Sequence, residues 1–168
     1  MSGEEAVSPL LEVRDLATHI VSRRGVVRSV DGVSFSVDRG RSLCIVGESG
    51  SGKSMTAKSI MRLLPAGAAI VRGSVELDGQ DLVGCSERTM RGVRGRRVSM
   101  LFQDPMTSLN PVLTIGTQIV ETIRAHRKVS RAEARDRAVA LLEEVKISDA
   151  AKRLGSTPTS TPAECASV

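Results

Sequence analysis

The residues with the clearest capacity for chemistry are Gly47, Glu48, Ser49, Gly50, Ser51, Gly52, Lys53 and Ser54. They match G-x-x-x-x-G-K-S/T in full. The glycines let the backbone curl until successive N–H groups point at one anion. A helix beginning near Lys53 adds the positive end of its dipole. In such a loop the lysine, here Lys53, reaches the β- and γ-phosphates of a nucleotide, and the hydroxyl of Ser54 ligates Mg²⁺. A flexible Gly/Ser linker has the same composition. It does not account for a strand-like run before the loop and an amphipathic helix after it.

The elements that must position this loop follow from periodicity. Leu10–Leu16 carries Leu11, Val13 and Leu16 among charges and reads as a first strand. Val30–Val37 alternates Val33, Phe35 and Val37 to one side, as a half-buried strand does. Asp38-Arg39-Gly40 turns the chain. Ser42–Val46 is a short apolar run ended by glycine, which predicts a central strand. After the loop, Ala57, Ile60, Met61 and Leu64 fall at helical spacing, and Pro65 is expected to stop that helix. Val71–Leu77 followed by Asp78-Gly79 predicts a strand entering a tight turn. Val98–Phe102 reads as a further strand. Beyond it the period becomes helical: Ile115, Ile119 and Ile123 share one face. Ser130-x-x-Glu133 is a capping box opening a second helix, with Ala134, Ala138, Leu141, Leu142 and Val145 as its stripe.

A phosphate loop indicates a nucleotide without indicating the machine. The second motif is Val98-Ser99-Met100-Leu101-Phe102-Gln103-Asp104-Pro105, which places Gln103 at the end of a strand. Together, Gly47–Ser54, Phe102–Pro111 and Arg23–Phe35 resemble the ATPase subunits of ATP-binding cassette (ABC) importers for oligopeptides and dipeptides, over Leu10 to Leu154. The resemblance implies an α/β fold, a P-loop NTPase core with an antiparallel β-subdomain and part of a helical subdomain. It implies ATP and Mg²⁺ as ligands, with Gln103 contacting the metal and the attacking water and Ser54 completing the metal site. The corresponding organisation is an N-terminal arm over residues 1–9 without order, a P-loop core over 10–105, a helical subdomain beginning at 106–154 and an aberrant tail over 155–168. Implied partners are the membrane subunits, a second ATP-binding subunit docked head to tail, and indirectly an extracytoplasmic solute-binding protein. The implied location is the cytoplasmic face of the membrane.

Two departures from the family pattern stand out. An aromatic residue is expected where the chain meets adenine. The position that aligns there is Ile20, which leaves van der Waals contact in place of stacking, and His19 is a poor substitute. Further on, no Leu-Ser-Gly-Gly-Gln signature follows the second helix, and no strand ends in the Asp-Glu of a Walker B pair. Val139-Ala140-Leu141-Leu142-Glu143-Glu144 imitates one, yet its stripe is helical and it follows a capping box. His19 and His126 both precede the place of the family's switch histidine. From Gly155 the composition changes to Ser, Thr, Pro and Ala without periodicity. Reading Ser156–Val168 in a shifted frame permits Tyr-Pro-His-Glu-Tyr-Ser-Gly-Gly-Met-Arg-Gln-Arg, which resembles the family's run through its signature loop. The expectation is a frame change near Leu154 or Gly155.

Composition narrows the other classes. No apolar stretch approaches the ~20 residues that cross a bilayer. Met1-Ser2-Gly3-Glu4-Glu5 is acidic and is no secretory signal. Cys44, Cys85 and Cys165 lack metal or disulfide spacing and suit reduced thiols. The net charge of +5 rests largely on Arg88, Arg91, Arg94, Arg96 and Arg97. With only Phe35 and Phe102 as aromatic residues there is no base-stacking platform, so a solvated basic face is expected and nucleic acid is not. A non-catalytic nucleotide-binding fragment or pseudogene product accounts for the same motifs. A P-loop kinase or GTPase accounts for Lys53 and Ser54 but leaves Phe102–Pro111 unexplained, and a guanine-reading Asn-Lys-x-Asp is absent from the sequence.

Overall fold

The computed structural model describes residues 8–23, 25–102 and 108–158. They fall into two compact units, Met1–Met100 and Leu101–Val168.

The first unit is built on a four-stranded antiparallel sheet in the order β2-β1-β3-β4. The strands are β1 (Leu11–Ser22), β2 (Gly25–Val37), β3 (Ala68–Leu77) and β4 (Gln80–Asp81). The first two run further than the apolar pattern alone suggests, because Ser22 pairs with Gly25 across a tight hairpin. Asp78 (φ 53°) and Gly79 (φ 74°) both take positive φ, the requirement of the two-residue turn that joins β3 to β4. The register of β1 on both neighbours slips after Val13 and Arg14, and Asp15 has φ 46°. This bulge returns Leu16 to the side occupied by Val13, so both join the core. Gly73 lies opposite, where a Cβ would meet the Arg14 and Asp15 carbonyls.

Helix α1 (Lys53–Ile60) and helix α2 (Glu87–Val93) pack on this sheet. Val13, Leu16, Val30, Val75, Leu77 and Leu82 meet Met90 and Val93 of α2 in one cluster. The helix after the phosphate loop ends before Pro65 is reached. Arg62 takes φ 51°, and the amides of Leu63 and Arg62 return to Lys58 O and Ser59 O at 2.8 and 3.0 Å, a Schellman stop. An arginine in that conformation is unusual, and its guanidinium offsets the strain by donating to Cys85 O at 2.6 Å. Arg94 closes the same corner, donating to Met61 O at 2.8 Å and Arg62 O at 3.1 Å while pairing with Glu87.

Three strand and charge expectations are corrected here. Ser42–Val46 forms no strand, and Leu43, Ile45 and Val46 are exposed. Val98–Phe102 forms none either: Val98 makes one isolated bridge to Arg94, and Leu101 is almost fully exposed. A strand is a pairing and not a property of its own residues, and none of the described strands lies beside these runs. The basic cluster is solvated at Arg88, Arg91, Arg96 and Arg97 and departs from that expectation at Arg94, which is drawn into the corner above.

The second unit contains α3 (Ile115–His126), α4 (Arg131–Glu144) and α5 (Ala150–Arg153). Ser130 Oγ accepts from Glu133 N at 3.1 Å, as the capping box requires. Val139–Glu144 lies within α4 and is helical. Ala138 and Leu142 pack with Ala150 and Leu154 against Ile119 and Ile123. Leu141 and Val145, expected in the stripe, are exposed instead. Ile115 N and Gly116 N donate to Ser156 O and Leu154 O, both at 2.9 Å, so the chain stays packed beyond Leu154.

The Arg94 corner generates the first test. Arg94→Ala leaves two part-buried carbonyls unpaired and should lower stability by about 1–3 kcal/mol, read as a lower urea midpoint at unchanged slope. The hydrogen bond from Arg94, with the Arg62 and Arg91 charges, holds the Glu87 carboxyl below its ordinary value of 4.5. Its contribution is therefore present above the ordinary carboxylate range and lost as pH falls through the lowered value. Stability measured against pH should fall less steeply in acid for Glu87→Gln than for the parent.

Candidate functional site

The phosphate loop lies in the first unit, between residue 46 and the first turn of α1. Gly50 (φ 83°) and Gly52 (φ 93°) are both in the left-handed region, where other residues are strained. Their needs differ. A Cβ on Gly50 would meet nothing, whereas one on Gly52 would strike the backbone carbonyl of Ser29 in β2. The helix thus begins pressed against the sheet, which only glycine permits. At the other end of α1, the hydroxyls of Ser59 and Thr18 lie 2.8 Å apart in a buried hydrogen bond. Thr56 and Ser59 are the buried residues of this helix, and Ala57, Ile60 and Leu64 are half-buried. The face packed on the sheet thus carries two buried hydroxyls, while of the apolar stripe read from spacing Met61 is buried and Ile60 packs, with Met55, against the core.

Lys53 folds back over the loop. Its ammonium donates to Gly47 O and Glu48 O, both at 2.7 Å, and to Ser51 Oγ at 3.3 Å. The first turn of α1 has no side-chain cap and no acidic residue. Among the described residues, the amides of Gly52 to Met55 find no hydrogen-bond partner. Unpaired amides at a helix start, a lysine beside them and a loop exposed to solvent form a cradle whose complement is an anion. Ser54 is exposed at the same turn and Glu48 lies on the open loop. The donor set fits a phosphate chain, and the Ser54 hydroxyl is a suitable oxygen ligand for a hard cation.

Ile20 sits on β1 opposite Val27 of β2 and Ala68 of β3. Ile20 and His19 are both half-buried. Gln103 lies outside the described residues, so the structure brings the phosphate loop and Ile20 into one unit and leaves Gln103 aside. The close approach of Gly52 to Ser29 was missed in the sequence. Its only trace there is a glycine in a position that the loop motif already requires.

A loop with the G-x-x-x-x-G-K-S pattern at a helix start, beside an antiparallel sheet, points to a P-loop nucleotide-binding domain as the class. The chain matches the ABC transporter family model over residues 30–161, and it belongs to that family. It is 53% identical over 159 residues to a probable peptide ABC transporter ATP-binding protein of Sinorhizobium fredii, covering 94% of this chain and 48% of the relative. It is 48% identical over 153 residues to an oligopeptide transport ATP-binding protein of Bacillus subtilis, covering 90% and 43%. A probable D,D-dipeptide transport ATP-binding protein of Escherichia coli is 45% identical over 151 residues, covering 89% and 46%. The chain spans about half the length of the curated relatives it matches. Among solved structures, a dimeric ATP-binding cassette in a post-hydrolysis state bound to ADP and Pi superposes with TM-score 0.72 at 19% identity, over 90% of this chain and 62% of that one. At that identity the likeness is one of fold, and the fold is that of an ABC ATPase cassette. No described helix is long and apolar enough to cross a membrane.

The two loop glycines give the second test. Gly50→Ala should cost the left-handed penalty alone, about 1–2 kcal/mol. Gly52→Ala adds a collision with Ser29 and should cost more in urea denaturation. Equal losses would show that α1 does not depend on its approach to β2.

Proposed function

We propose that this chain binds Mg·ATP through Gly47–Ser54 and represents the phosphate-holding part of an ATP-binding subunit of an importer for oligopeptides or dipeptides. The observation that carries the reading is the unpaired first turn of α1 with Lys53 beside it. The names of the relatives support the peptide class, and the cassette fold supports the nucleotide. In this reading the amides of the loop and of Lys53 and Ser54 hold the phosphate oxygens, and Lys53 exchanges its bonds to Gly47 O and Glu48 O for a phosphate. Ser54 holds the metal, which neutralises phosphate charge when bound, and Gln103 takes the remaining contact with metal and water. Ile20 and Val27 offer aliphatic contact to the base, weaker than an aromatic face. Membrane subunits and a second ATP-binding subunit are the partners of this role, at the cytoplasmic face of the membrane.

The role divides into grip and turnover. Positioning of metal and water for in-line attack requires carboxylates. The sequence offers no strand ending in Asp-Glu, so the grip is expected without efficient hydrolysis by this chain alone. Calorimetry should therefore show Mg·ATP binding that Lys53→Ala weakens by roughly 10- to 100-fold, the worth of a hydrogen bond to a charged group. Equal affinity in the two proteins would remove the site. Phosphate release should stay at background in the same samples. Turnover abolished by Lys53→Ala would show that the grip suffices for hydrolysis.

A further inference from the structure

The side of α4 that meets α3 changes character along its length. Ala138 and Leu142 pack with Ile119 and Ile123 of α3. Helical spacing carries the same stripe back to Arg135 and Arg131, where an amphipathic helix would place further apolar residues. These two arginines line a cavity of about 120 Å³ together with Thr114, Thr117, Val120 and Leu154. Like charges one turn apart repel. Yet no described carboxylate pairs with either guanidinium, and neither donates a hydrogen bond to a described residue. Exposure does not account for this, because Arg28 and Arg72 on the sheet of the first unit are 70% and 57% exposed at the side chain and both hold a carboxylate.

Thr114 and Thr117 add a donor. Their hydroxyls share one hydrogen bond at 2.9 Å, so one of the two O–H protons is spent between them and one is left. The amides beside them are already spent: Ile115 N and Gly116 N donate to Ser156 O and Leu154 O, and Thr117 N donates to Thr114 Oγ1. Recognition in this cavity therefore rests on side chains, two guanidinium forks and one hydroxyl, over an apolar floor of Val120 and Leu154.

We propose that the cavity between α3 and α4 is a binding site for a phosphate group, with Arg131 and Arg135 as paired clamps and the Thr114–Thr117 pair as hydroxyl donor. A phosphate group carries about −1.5 to −2 charges near neutral pH and offsets both arginines, whereas a carboxylate offsets one. Guanidinium forks also match its oxygens in pairs. The volume limits what enters. Pockets that enclose a drug-sized ligand run to about 300–1,000 Å³, so a base and sugar stay outside. The phosphate enters alone, either as the free ion or as the end of a larger molecule such as a lipid headgroup. The site lies wholly in the second unit and does not rest on the nucleotide reading of the phosphate loop.

Titration of the isotope-labelled full chain with sodium phosphate, followed by NMR, tests the site. The amide of Thr117 and the Nε–H signals of Arg131 and Arg135 should move along one saturating curve, and sodium chloride at matched ionic strength should not move them so. Signals of Gly50 and Gly52 report the phosphate loop separately, so either site can fail without the other. Arg131→Gln and Arg135→Gln should each weaken binding read at Thr117 by roughly tenfold or more, the worth of a hydrogen bond to a charged group. Arg124→Gln and Arg137→Gln remove the same charge from the same two helices outside the cavity and should change little. Sedimentation with phosphatidylcholine vesicles containing phosphatidic acid separates the sources. Co-sedimentation that Arg135→Gln abolishes and Arg137→Gln spares assigns the phosphate to a lipid headgroup, whereas saturation in the titration without co-sedimentation assigns it to the free ion. The absence of a saturating shift at Thr117, Arg131 and Arg135, or equal shifts in chloride, would overturn the site without any variant. Equal weakening by Arg137→Gln and Arg135→Gln would reduce it to general surface charge and overturn it as well.

Discussion

Placement of the phosphate loop depends on the close approach of the first turn of α1 to β2. Gly52 adopts φ 93° with no side chain between it and the Ser29 carbonyl. The far end of the helix is fixed by the Thr18–Ser59 hydroxyl pair. These contacts are directional in a way that apolar packing is not. A leucine on α1 could slide along the sheet at little cost, whereas a buried hydroxyl must keep its partner. Among the described residues, no buried side-chain polar atom lacks a partner, so the hydroxyls of this face are satisfied as well as specific. The helix start is thereby aimed by the antiparallel sheet, whose bulge at Asp15 brings Leu16 and Thr18 into position.

The parts of the fold legible in the sequence are those whose cause lies within a few residues. Asp78-Gly79 carries its own turn conformation, and Ser130 with Glu133 carries its own cap. The glycines of the loop carry their own φ requirement. The ending of α1 was misread because Pro65 is a visible stop while Arg62 is not. A left-handed arginine is tolerated only because Leu82 and Cys85 supply carbonyls for its side chain, and those lie far along the chain. Helix α2 had a local signal that the apolar period concealed. Ser86 Oγ accepts from Thr89 N at 3.2 Å, and Met90 and Val93 are spaced for one face, but the segment is too short and too basic to stand out.

The candidate site divides along the same line. Its phosphate-facing part is readable because one stretch of backbone supplies nearly all of it. Ile20 is readable only through resemblance, since nothing local marks a residue on β1 for a place beside the loop. The runs at 42–46 and 98–102 were misjudged for a different reason. Their composition describes what a strand would bury, and burial requires neighbours that the run does not encode.

The phosphate loop nevertheless takes a defined form while the run leading into it remains unpaired, and Lys53 supplies the reason. With bonds at 2.7 Å to both Gly47 O and Glu48 O, the ammonium ties the first two residues of the loop to the first residue of α1. This clamp is local, so it survives without a parallel ladder beside residue 46. Its cost falls on binding. An incoming phosphate gains the lysine only by releasing those carbonyls to solvent, so the net gain is the difference between two charge-assisted contacts. The unpaired amides of the first turn carry no such debt, because none has a described partner to surrender. In the proposed reading an anion's affinity therefore rests more on the backbone, while the bonds of Lys53 to Gly47 O and Glu48 O brace the loop.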